Sequence, residues 1–172
     1  MYIRFLYFLL MLLSPYILAF GQGHVQQPNR IEIALGEDDA NFNVISAGEK
    51  GIMLYRMVKN RDTRMEFKYQ VIRVDTTLKV MWEDFYFVSL RYIQIGFEYA
   101  GDYLYLLFQR NTESLRADWF VMRIHLDTKQ PETFLIERDY AMQLSNFEVV
   151  GNTLIFAGYA YNMPAIVCYE FG

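Results

Sequence analysis

Chemistry in this chain has to come from a short stock of side chains. Glu37, Asp38 and Asp39 form its densest acidic run, and three carboxylates in one loop are oxygen ligands of the kind Ca²⁺ takes. Their consecutive spacing lacks the alternation that aims carboxylates at one ion, so a solvated loop is expected and no metal is assigned. Arg123, His125 and Asp127 alternate along one strand, which places a His–Asp pair on a single face. A general base needs a nucleophile or a substrate proton within reach, and no Gly-x-Ser-x-Gly elbow accompanies the pair. Asp127 is therefore read as a turn residue whose carboxylate binds backbone amides, a role in which Asp75 recurs. Trp82-Glu83-Asp84 sets an indole beside two acids. Glycosidase carboxylates sit about 5–10 Å apart, but neighbours in a strand face opposite ways, so any partner comes from elsewhere and Trp82 is expected in the core or an interface. Cys168 has no basic or histidine neighbour and reads as a small buried residue. No catalytic, cofactor or metal residue is assigned.

The composition narrows the field in the same direction. With 172 residues, 53% of them hydrophobic, the chain can bury the core of one domain. A formal charge of −4 argues against nucleic acid as a partner. One cysteine excludes an intramolecular disulfide or a cysteine-rich zinc site, and two histidines leave little for a histidine cluster.

The first residues read MYIRFLYFLLMLLSPYILAFGQGH. A single basic residue, Arg4, precedes an apolar stretch that ends at the small residues Ala19 and Gly21, the pattern of a secretory signal. Pro15 interrupts that stretch, and the run before it is shorter than the roughly 20 residues a membrane span needs. Cleavage is expected after Gly21, giving a signal peptide at 1–21, a polar linker at 22–30 and a domain at 31–172 in the periplasm or outside the cell, with no stable membrane span after cleavage.

The domain reads as all-β. Short β-branched and aromatic runs bounded by turn residues predict strands at 32–35, 43–46, 51–57, 66–74, 79–88, 92–99, 103–109, 118–125, 133–137, 147–150, 153–159 and 165–171. Gly48, Gly101 and Gly151 are about 50 residues apart, each between a strand-like segment (NVISA, GFEYA, NFEVV) and an apolar one (GIMLY, YLYLLF, TLIFAG). A second landmark recurs 52 residues on, where VIRVDT ends at Asp75-Thr76 and MRIHLDT ends at Asp127-Thr128. The segment YLYLLF is apolar on both faces, as in a strand sandwiched between layers.

Four short strands per unit at this period form a β-propeller blade pattern, and the stretch from 31 to 172 resembles the repeats of extracytoplasmic β-propeller proteins. The resemblance implies a β-propeller-like arc of about three units, at 31–90, 91–144 and an incomplete 145–172. Because propellers have 4–8 blades, the count favours a fragment of a longer protein over subunits that pair to close a ring. A small β-barrel is the alternative architecture. The expected function is a non-catalytic binding or scaffolding module for a protein or carbohydrate ligand, without a cofactor. Self-association is expected through the open ends of the arc. The competing readings are an outer-membrane β-barrel and a fragment of a propeller-type hydrolase.

Overall fold

Apolar residues of high β-propensity build eleven antiparallel strands among the described residues. The computed structural model describes residues 30–34, 36, 40–58, 65–112 and 114–171. The expected signal segment, all of the linker but Arg30, and the acidic run Glu37-Asp38-Asp39 lie outside the described residues. Residues 32–34 carry no strand assignment, which differs from the expectation for 32–35.

Three sheets form in chain order. Sheet 1 contains β1 (Asn43–Ser46), β2 (Ile52–Val58), β3 (Glu66–Val74) and β4 (Val80–Ser89). Sheet 2 contains β5 (Tyr92–Ala100), β6 (Tyr103–Arg110), β7 (Trp119–His125) and β8 (Pro131–Ile136). Sheet 3 contains β9 (Gln143–Val150), β10 (Thr153–Ala160) and β11 (Met163–Glu170). Each is a simple meander in which sequential strands are neighbours. None closes on itself, so the small barrel is not the architecture adopted.

The sheets stack face to face. Met53, Tyr55, Tyr69 and Val71 of sheet 1 meet Leu104, Leu106, Phe108, Met122 and Ile124 of sheet 2. The opposite face of sheet 2, with Tyr105, Leu107, Trp119 and Val121, meets Phe147, Val149, Leu154 and Phe156 of sheet 3. Strand β6 is consequently buried on both sides, as its unbroken apolar sequence requires. The first strands lie side by side, with β5 beside both β1 and β9. The far face of sheet 1 packs Leu54, Ile72 and Val74 against Ile31, Ile33 and Phe42.

The three repeated glycines occupy one structural position. Gly48, Gly101 and Gly151 have φ of 59°, 59° and 58°. In the two-residue hairpins Gly101-Asp102 and Gly151-Asn152, a left-handed first residue gives the strands a turn that matches their twist. Ala47, Ala100 and Val150, just before these glycines, face Gly51, Tyr103 and Thr153 in the returning strand. The register then makes Met53, Tyr105 and Ile155 counterparts, and likewise Arg73, Arg123 and Cys168 opposite them.

Candidate functional site

Of the chemistry-bearing side chains flagged by the sequence, Trp82, Asp127 and Arg123 reach between sheets. Trp82 is buried between sheets 1 and 2, and its Nε1 donates to the Leu126 carbonyl at 2.7 Å. Glu83 points to the opposite face of its strand, where its Oε1 accepts from Gln70 Nε2 at 2.6 Å. Asp84 Oδ1 accepts from the Phe85 amide at 2.8 Å.

Asp127 does not bind backbone amides. Its Oδ1 accepts from Arg73 Nη1 at 2.6 Å, an ion pair joining sheet 1 to sheet 2. The Arg73 guanidinium accordingly holds the Asp127 carboxyl below its usual value. The amide-binding role falls to His125, whose Nδ1 accepts from the backbone N–H groups of Asp127 at 3.1 Å and Thr128 at 3.3 Å. That geometry puts the ring proton on Nε2. In the equivalent turn of sheet 1, Asp75 Oδ1 accepts from the amides of Thr77 at 2.8 Å and Lys79 at 2.9 Å, and from the Thr77 hydroxyl at 2.7 Å. The Thr77 hydroxyl, then the amides, keep this carboxyl below its usual value.

The repeated Asp-Thr landmark is thus out of structural register. Between the equivalent paired residues, Val74 and Val80 enclose residues 75–79, whereas Ile124 and Pro131 enclose residues 125–130, one residue more. The extra length moves the aspartate outward and leaves the histidine where the first aspartate stands. Arg123, the counterpart of Arg73, reaches Glu132 Oε2 through Nε at 3.0 Å and Nη2 at 2.7 Å. Its guanidinium also lies 4.7–5.0 Å from the rings of Tyr103, Phe134 and Phe171. Cys168 is exposed, contrary to expectation, because it lies on the outer face of sheet 3, which no further described sheet covers.

A shaped concavity lies elsewhere, at one end of sheet 2. A cleft of about 690 Å³ is lined by Leu90 and Arg91, from the β4–β5 link, and by Arg110, Asn111, Thr112, Ser114, Arg116, Ala117 and Asp118. Glu113, in the same loop, lies outside the described residues. The three arginines are exposed, and none forms an ion pair with a described residue. Asp118 is the one acidic residue among the described lining.

The β6–β7 loop, which carries Arg116, is fixed by hydrogen bonds within itself and to Arg91. The Asn111 amide donates to the Arg91 carbonyl at 2.5 Å, and the Ala117 amide to the Ser114 carbonyl at 3.1 Å. Thr112 Oγ1 accepts from the Ser114 amide and Ser114 Oγ from the Arg116 amide. Behind the loop Arg138 is buried, stacked 3.9 Å from the Trp119 ring centroid, and its Nε and Nη2 donate to the Ala117 carbonyl. Burial lowers the pKa of this guanidinium from its ordinary value, but the carbonyls of Ala117 and Met142 and the indole face replace the water it loses.

Arg91, Arg110 and Arg116 were not singled out by sequence reasoning. The available signal was QRNTESLRAD, the end of β6 and a long β6–β7 connection with one arginine in each, where the β10–β11 link is the pair Tyr161-Asn162. No three His, Cys, Asp or Glu side chains among the described residues are placed to hold one metal ion. No described helix is long and apolar enough to cross a membrane. No known protein family, curated protein or solved structure matches the chain.

Proposed function

We propose that this chain is an exported, non-catalytic binding module whose stacked sheets are consecutive units of a β-propeller-type arc. The sheets supply a rigid scaffold, and the irregular loop at the end of sheet 2 supplies the recognition surface. The observation that carries this reading is the division of labour among polar groups. The turn carboxylate Asp75, the imidazole of His125, Trp82 and the Arg73–Asp127 pair are engaged in turns and sheet contacts. The cleft, by contrast, presents three cationic side chains, Arg91 from the β4–β5 link, Arg110 from the end of β6 and Arg116 from a loop already fixed from behind, the pre-organised arrangement that binding favours.

The order of sheets supports the arc. One face of each sheet meets the opposite face of the next, and the first strands run side by side. The hydrolase reading would use Glu83 and Asp127, but Glu83 lies on the far face of sheet 1 while Asp127 pairs with Arg73 at the junction with sheet 2. The barrel reading needs one closed sheet, whereas three open ones stack here.

The test is a paired screen on the protein purified from its own host. Thermal shift would report binding, and ester and glycoside panels would report turnover. Binding without turnover is the expected result. Product formation that Glu83→Gln or Asp127→Asn abolishes would overturn the reading. The mass of the same material should correspond to loss of residues 1–21, and an intact N-terminus would refute export by cleavage.

A further inference from the structure

We propose that the cleft at the end of sheet 2 binds a phosphate or sulfate ester, held by Arg91, Arg110 and Arg116. This deepens the binding-module reading and rests on it. The protein as a whole is acidic, yet three arginines line one concavity, against the carboxylates of Asp118 in its lining and of Glu113 in the loop sequence. Each guanidinium offers a planar fork of N–H donors that matches a tetrahedral oxyanion.

The remaining polar lining is also suited to donate. Thr112 Oγ1 and Ser114 Oγ accept backbone amides with their lone pairs, which leaves each hydroxyl hydrogen available to the cleft. The Asn111 side chain adds an amide. The Asp118 carboxylate accepts from the Arg138 amide through Oδ1 at 3.4 Å. It therefore has a structural role, and it opposes an anion at the same time.

The open cleft leaves room for the body of an ester beside its charged group. A cleft of about 690 Å³ falls within the roughly 300–1,000 Å³ of small-molecule sites, far more than one tetrahedral ion fills. The arginines would hold the charged group, and the rest of the space would take the body of the molecule. Exposure of the arginines makes salt a competitor, so binding weakens as ionic strength rises.

The experiment is isothermal titration of the full chain at low salt with glucose 6-phosphate, N-acetylglucosamine 6-sulfate, inorganic phosphate and neutral glucose. The sugar phosphate or the sugar sulfate should bind and neutral glucose should not. Arg91→Gln, Arg110→Gln and Arg116→Gln should each weaken binding roughly tenfold, as loss of one charge-assisted contact implies. Lys79→Gln, which removes the same charge from a turn outside the cleft, should change it less than twofold. Asp118→Asn keeps the acceptor oxygen and removes the opposing charge, so it should tighten binding several-fold, which a purely structural role would not do.

Inorganic phosphate binding as tightly as the esters would overturn the ester assignment and leave an oxyanion site. Absence of binding by every anion, or affinity unchanged in the triple arginine variant with its circular dichroism intact, would overturn the site itself. Neither result touches the non-catalytic reading. Sugar release during the titration would overturn that reading alone.

Discussion

Sheet 2 is the shared layer of the stack, and two adjacent leucines allow that to be tested. Leu106 and Leu107 on β6 have no exposed surface, and they face opposite ways, Leu106 into the contact with sheet 1 and Leu107 into the contact with sheet 3. Truncation to alanine removes about 2 kcal/mol of apolar transfer and leaves a cavity that close packing cannot fully close, for a total of about 3–4 kcal/mol at either site. With a urea slope of about 2 kcal/mol per molar, each midpoint should fall by about 1.5–2 M. The two tryptophans of the chain report on the two contacts separately, since Trp82 lies between sheets 1 and 2 and Trp119 between sheets 2 and 3. In Trp82→Phe and Trp119→Phe backgrounds, each remaining indole follows one junction through urea unfolding, beside circular dichroism for the whole. If β6 ties both junctions into one core, Leu106→Ala and Leu107→Ala each move both fluorescence transitions together. A Leu107→Ala protein in which the Trp119 transition moves and the Trp82 transition stays would refute the argument. It would mean that the sheets melt one at a time.

Three further outcomes follow from particular contacts. His125→Ala should cost about 1 kcal/mol, the value of a lost acceptor for backbone amides, whereas His125→Asp should retain most of the stability because Asp75 fills the same position in sheet 1; equal loss in both variants by urea titration would count against the shared role. Burial raises the hydroxyl pKa of Tyr55 and Tyr69 to about 12, so the folded state holds these protons more tightly than the unfolded chain. Their stabilisation should be complete below about pH 10 and lost as pH rises through about 12. Tyr69→Phe should flatten that alkaline decline, and a decline identical in both proteins would refute it. Ile166 is 73% exposed on the outer face of sheet 3, whereas its counterparts Val71 and Val121 are 0% exposed under the next sheet. A second copy is expected to cover this face, continuing the stacking already seen twice, so light scattering should give a mass above one chain that Ile166→Lys returns to monomer; a monomer without the substitution would refute the docking.

The architecture was legible where backbone geometry forces a residue type. Gly48, Gly101 and Gly151 mark turns that need a left-handed residue, and the two-sided apolar sequence of β6 announces burial between layers. Strand limits were less legible near proline. The expectation began strands at 133 and 165, past Pro131 and Pro164, yet β8 and β11 include both. Each is an edge strand, where the N–H that proline lacks has no ladder partner to serve. Cys168 was misread because an apolar strand says nothing about whether a neighbour covers its second face. The cleft was invisible for a related reason. Arg91 and Arg110–Arg116 come from separate connections, and only the pairing of β5 with β6 and the bond from Asn111 to Arg91 bring them together.

The shift between the Asp75 and Asp127 turns shows how such a repeat tolerates change. One added residue removes the aspartate from its capping position, yet the turn keeps an acceptor there because His125 supplies Nδ1. The displaced Asp127 then meets Arg73 across the junction, and an amide cap becomes an inter-sheet ion pair. With Asp127 exposed the pair is open to water on one side and contributes little to stability, so the gain lies in fixing how sheet 2 sits on sheet 1 more than in energy. Arg123, in the same register position, meets Glu132 and three rings instead. The repeated positions therefore answer to packing between successive sheets, and their charged residues change identity as the neighbouring layer changes. The β6–β7 connection meets the next layer only at its margin, where the Leu115 carbonyl accepts the Met142 amide. It spans residues 111–118 where the β10–β11 connection needs only two residues, and Arg138 holds it from behind. A ladder gains nothing from that length or from Arg116 facing water beside Arg110 at the end of β6, which is the physical ground for placing recognition at this loop and not in the body of the strands.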